Sequence, residues 1–302
     1  IAQELVDTLL PTVQRRGDPW AEAMMTNLAA SLALWTGRAA ESVRLCHEAV
    51  EAARRADDAG LEIQTLAVQG RALVSLGRIT DGSATLEQAY RLAEQGRDRF
   101  NRRIAIIANC ASAARVGEAQ RAMSWASNFQ GFHDDLSVVG EADLIVSVSL
   151  ALLQQGAVDE AGSQLAWFDG SKSRRVDFFA EAVRATLAAV DGRIDDAEQA
   201  VERVLNGRST YLDRITAHLV RACISFQLAD DEATDAALDD ARRIVDLTDD
   251  RMSRWLIDLV SGICGQGDQT VAERHMAKAG LDPAGLVTAW RLAARTESIE
   301  AS

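Results

Sequence analysis

The sequence predicts an all-α fold, a right-handed α-solenoid of about seven helical hairpins, on three observations. The first is a phrase that returns seven times at a spacing of 36 to 40 residues: a helical stretch ends in glycine or a stand-in, and five residues later comes a small side chain. The pairs are Gly37 with Ser42, Gly77 with Gly82, Gly117 with Ala122, Gly156 with Ala161, Gly192 with Ala197, Asp231 with Ala236, and Gly267 with Ala272. The second is another small column seven residues before the glycine, at Ala30, Gly70, Cys110, Ser149 and Ala185. The third is composition: three prolines, two tyrosines and no run of alternating β-branched residues leave the strand signal missing.

The elements follow in chain order. Residues 1–18 have the character of the second helix of a partial leading repeat. Residues 20–36 carry Met24, Leu28, Leu32 and Trp35 at helical spacing, and Gly37 ends that helix because glycine tolerates the left-handed conformation of a helix terminus. A second helix over 39–56 sets Val43, Cys46, Ala49, Val50 and Ala53 on one side. The small residue after each glycine lies where the two helices cross and bulk would hold them apart. The pattern repeats over residues 61–95, 104–129, 142–168, 178–205, 214–245 and 255–280, and residues 283–302 form a capping helix and tail. Residues 270–296 could also form a helix-turn-helix bearing Arg291 and Arg295. The repeat column at Ala272 and the shortage of basic residues favour a last repeat plus cap. The whole of 1–302 is one repeat domain. Its opening on Ile1 suggests a piece of a larger protein.

Composition bounds the function. A chain 48% apolar and 25% charged is globular, and a net charge of −13 repels phosphate backbones, so direct nucleic-acid binding is not expected. Cys46, Cys110, Cys223 and Cys264 are far apart, lack a CxxC spacing and sit in apolar stretches, which suits small core residues in a reducing cytoplasm. No window approaches the ~20 apolar residues of a membrane span.

The glycine-to-alanine step, with a further alanine seven on at Ala49, Ala89 and Ala279, resembles the tetratricopeptide repeat. The early aromatic residues and the repeat-ending proline of that family are mostly missing, and the period is longer. Long, degenerate, arginine- and alanine-rich repeats of this kind resemble the superhelical sensor region of large ATP-dependent LuxR-type bacterial transcription regulators, the maltose-regulator group. The resemblance implies nucleotide-binding and DNA-binding domains elsewhere in the same full-length protein, and an inducer bound by the superhelix.

No chemistry of catalysis is legible. There is no GxxxxGK[ST], Gly170-Ser171-Lys172-Ser173 lacking the first glycine and the spacing. There is no HExxH and no GxSxG, and His47, His133, His218 and His275 are scattered. The acid pairs Asp134-Asp135, Asp195-Asp196, Asp239-Asp240 and Asp249-Asp250 suit turns and helix starts. The expectation is a non-enzyme with no cofactor or metal.

In stacked hairpins the first helices line the concave face. The register puts Asn27, Gln64, Arg71, Asp143, Phe179, His218, Arg221, Arg254 and Asp258 at or near it. His218 and Arg221 share one side of a helix, and Arg254 can pair with Asp258. Of six tryptophans, Trp125 and Trp167 on second helices suit the core, while Trp35 and Trp255 on first helices suit either core or a ligand face. Two readings stand. One is an inducer sensor binding a small molecule, most plausibly a sugar, through Trp35 and Trp255 with a fan of polar groups, and capable of self-association. The other is an interaction scaffold whose groove takes a peptide or partner domain.

Overall fold

A computed structural model describes residues 2–129, 138–169 and 177–296. The described residues form helices and turns, with no strand among them. The first half is α1 (Ala2–Arg16), α2 (Pro19–Trp35), α3 (Ala39–Arg55), α4 (Ala59–Ser75), α5 (Ile79–Gln95), α6 (Arg99–Arg115), α7 (Ala119–Ser127) and α8 (Val138–Gln154). It continues as α9 (Val158–Asp169), α10 (Asp177–Val190), α11 (Ile194–Asn206), α12 (Tyr211–Gln227), α13 (Asp231–Val245), α14 (Arg251–Ile263), α15 (Gln269–Lys278) and α16 (Ala284–Ala293). The fold is all-α, with successive helices packed in pairs as a solenoid requires. His133, Asp134-Asp135, Gly170–Ser173, the tail 297–302 and the side chain of Trp167 lie outside the described residues.

The repeating phrase has a definite backbone meaning. Gly37 has φ 81°, its N–H donates to Leu34 O and that of Arg38 to Ala33 O, which closes α2 with a left-handed residue and satisfies its last carbonyls. The same pair of bonds recurs at Gly77 and Arg78. Two expected marks are corrected. In the sixth hairpin the left-handed residue is Ala229 (φ 57°), not Asp231, which begins α13. The small residue five on is therefore Thr234, fully buried, whereas Ala236 is exposed. In the seventh, Gly265 (φ 73°) rather than Gly267 ends α14, and the turn is two residues longer, so Ala272 keeps its buried place.

The small columns are helix crossings. Ser42 Oγ donates to Ala30 O at 2.8 Å, and Ser149 Oγ donates to Ala161 O at 2.9 Å. Gly70 and Gly82 meet so closely that a Cβ on Gly82 would lie 2.8 Å from both Gly70 O and Val74 Cγ2. All four cysteines are free and buried. Burial pushes the Cys46 and Cys110 thiols up to about 12, as small core residues would show.

The chain divides into two compact bodies. The first is Ile1–Ser112 with Thr248–Arg251; the second is Ala113–Leu247 with Met252–Ser302. In the first, a 40-residue column caps the first helices: Asp18, Asp58 and Asp98 each follow a residue of positive φ and accept backbone N–H bonds of α2, α4 and α6. Second helix α3 follows Arg38, which makes no capping hydrogen bond with its side chain. Its cap comes from Asp249, whose two carboxylate oxygens accept from Ala39 N at 2.6 Å and Ala40 N at 2.8 Å. In the second body, α16 packs against α8, α10 and α12, so the expected capping helix lies on first helices of earlier hairpins.

Candidate functional site, the first-helix face

Helix α2 carries an apolar row that its neighbours leave open. Trp20 is 50% exposed, Met24 38%, Leu28 45% and Trp35 39%, and their spacing sets them on one side of the helix from end to end. Leu9 of α1 is also exposed. Four large apolar groups left partly in water on one helix are the kind of patch that marks an interaction surface. The opposite side of α2 is spent on packing: Ala29, Ala30 and Ala33 join Val6, Leu45 and Cys46 in a buried cluster.

The polar groups around this face are mostly committed. Trp20 Nε1 donates to Asp58 at 3.0 Å, tying the indole to the cap of α4. Gln64 donates to Asn101 Oδ1 at 3.0 Å, and Asn101 donates to Asp98 at 2.6 Å. Asn27 is half-buried, with Oδ1 lacking a hydrogen-bond partner. The guanidinium of Arg71 lies over the Trp35 ring, 4.8 Å from its centroid. Of the residues expected on this face, Trp35 and Arg71 are brought together, Gln64 is turned to the next first helix, and Asn27 stands apart.

In the second body several of the expected ligand groups are engaged with neighbouring side chains. Arg221 binds Glu198 at 3.2 Å and also Glu202, so it faces α11. His218 is 8% exposed and looks toward Asp240 of α13, its Nδ1 3.8 Å from Oδ2 and without a hydrogen-bond partner. Burial pulls the His218 pKa down, opposed by Asp240. Arg254 pairs with Asp246 at 2.8 Å instead of Asp258, and burial pushes the Asp258 carboxyl up. Trp255 and Phe179 are half-buried. Asp143 is also half-buried, and its charge adds to the upward shift that burial gives the Asp213 carboxyl.

What fills the first-helix face here is α16. Leu286, Ala289, Trp290, Leu292 and Ala293 are all buried, and only Ala284 of the helix is exposed. Gly285 meets Gly117 with no room for a side chain at either. Gln227 Nε2 donates to Ala189 O at 3.0 Å and to Ala293 O at 2.6 Å, stitching the ends of α10 and α16 to α12. Gln154 likewise donates to Ala114 O at 2.6 Å. Arg295, offered by the helix-turn-helix reading as a basic reader, packs on Gly192. Sequence reasoning missed both glutamines, though each lies two residues before a left-handed turn residue.

Among the described residues no three His, Cys, Asp or Glu side chains group to hold a metal ion, and no helix is long and apolar enough to cross a membrane. No protein-family model matches the chain, and no curated protein shows a significant match to it.

Proposed function

We propose that the chain is a non-catalytic interaction module whose first body binds an apolar segment of a partner protein along α2. The observation that carries this is the exposed row Trp20, Met24, Leu28 and Trp35, flanked by polar groups already tied to one another. Such a face gains from covering apolar area and offers few convergent donors or acceptors for a polar small molecule. The test is a panel of apolar peptides, extended and helical, screened against the chain and its Leu28→Arg variant. Selective binders should weaken about tenfold or more on the variant; a panel with no binder sensitive to Leu28 would sink the reading.

A second reading, the inducer sensor of a cytoplasmic LuxR-type regulator, is supported by one observation. Trp35 presents an indole face with Arg71 over it, a combination suited to stacking on a sugar ring beside a hydrogen-bond donor. A saturable rise in melting temperature with one class of saccharide, lost in Trp35→Ala, would favour it over the interaction module.

A further inference from the structure

We infer that Asn206 is a site of spontaneous modification, at which the backbone nitrogen of Gly207 closes on the side-chain amide, expels ammonia and leaves aspartate or isoaspartate. The inference is independent of what α2 binds. The chain holds five asparagines, and Asn206 alone is followed by glycine. It is exposed and ends α11, while Asn101 and Asn109 are buried and Asn27 is half-buried. Only glycine leaves the attacking nitrogen unshielded by a side chain of its own residue.

The fold fixes that glycine for a separate reason. Gly207 has φ −89° and ψ 179°, a backbone that other residues adopt readily, so its conformation does not demand glycine. Space does: a Cβ there would run into the ring of Phe178 on α10 and lie 2.8 Å from Arg203 O. The reacting pair is also lightly held. The Gly207 N–H donates to Val204 O at 3.3 Å, and the same carbonyl accepts a shorter bond, 2.7 Å, from Ser209 Oγ. Fraying at the end of α11 therefore frees the nitrogen, and opening at a helix terminus costs little.

The step balances without oxidant or cofactor. Gly207 N bonds to Asn206 Cγ and gives up its proton, the Cγ–Nδ2 bond breaks, and ammonia leaves. Water then opens the cyclic imide: cleavage at Cγ gives aspartate, and cleavage at the main-chain carbonyl gives isoaspartate, with the backbone rerouted through the side chain. The product places a negative charge where Asn206 Nδ2 had donated to Glu202 Oε2 at 2.8 Å. Glu202 also pairs with Arg221 of α12, and a new carboxylate at the end of α11 opposes the helix dipole. Modification thus sets two like charges side by side where α11 meets α12.

The test ages the whole chain in mildly alkaline buffer, with circular dichroism to show that it stays folded, and maps its peptides by mass. Asn206 should convert to the acid at least about tenfold faster than Asn128, which is exposed like it but followed by Phe129 rather than by an unshielded glycine nitrogen. The Asp-Gly pairs of the chain can close the same ring, but they lose and regain water and keep their mass. Asn206→Gln should show no conversion at this position over the same time. The acidic form, separated by anion exchange, should melt below the fresh chain. Conversion at Asn206 no faster than at Asn128, or conversion only in denaturing urea, would overturn the inference. An acidic form that melts with the fresh chain would overturn the coupling to Glu202.

Discussion

Helices α2 and α12 hold the same place in their hairpins, yet one exposes its apolar row and the other is covered. The contrast lies in what lies over each face rather than in how the helices are made. Trp20 on α2 has half its surface in water, while Trp290, on the helix that covers α12, has 6%. In the second body a helix of the same chain covers the first helices, and in the first body the row on α2 stays exposed. This comparison predicts its largest effect at the tryptophans. Trp290→Ala should cost about 3–5 kcal/mol, because it removes a buried indole from between packed helices. Trp20→Ala should cost well under half of that, with only a rim contact and the Asp58 bond to lose. Urea titrations followed by circular dichroism measure both, and similar losses would break the comparison.

Glycines sharpen it next. Gly82→Ala places a methyl 2.8 Å from Gly70 O and Val74 Cγ2, at a crossing where backbone must move, so a loss of about 1–3 kcal/mol is expected. Gly162, in α9 of the second body, has nothing within 4 Å of an added Cβ, and Gly162→Ala should raise stability by about 0.5–1 kcal/mol through helix propensity. Thermal melts of the two variants should move in opposite directions.

Those glycines also show what the sequence could reveal. Hairpins and crossing columns were legible where a single glycine took the left-handed turn position, since few side chains tolerate that backbone, whereas in the seventh hairpin Gly267 drew the reading away from Gly265. Where Ala229 takes that conformation, no glycine marked the place and the column slid by two residues, from Thr234 to Ala236. The site was less legible, because a register names a helix face and not the occupant of that face. Nothing local in residues 284–293 says that they return to α8, α10 and α12, and nothing in the register says that Arg221 pairs with Glu198 and Glu202 of α11. The register put Trp35 and Arg71 on first helices, but only the structure shows that the guanidinium lies over the indole.

A cap borrowed from far along the chain gives a smaller effect. Asp249→Ala leaves Ala39 N and Ala40 N without their carboxylate and should cost the first body about 1–2 kcal/mol, within the range of helix N-caps. Asp249→Asn keeps one acceptor and should recover part of it. Hydrogen exchange at the start of α3 is the sensitive readout: faster exchange there in Asp249→Ala is expected, and unchanged protection would show that water serves as well.

The smallest expected effect concerns pH and belongs to the second body. His218 is buried beside Asp240 and Arg243 of α13, with Arg214 and Arg221 on its own helix. Burial dominates and, with the three arginines, holds the imidazole below its ordinary value of 6.5 against the opposing pull of Asp240. The unfolded chain then binds a proton that the native hairpin resists, so this contribution is fully present above 6.5 and is lost as pH falls below it. Asp258 works in the opposite sense but in the carboxylate range: burial raises it above 3.8, so acid relieves its cost. Between about pH 7.5 and 5.5 histidine is the side chain whose ordinary titration falls in the window. Melting temperature should drop more over that interval in the wild type than in His218→Gln, which cannot take up the proton. Equal drops would mean that Asp240 meets the imidazolium in the folded state, and that His218 is indifferent to its charge.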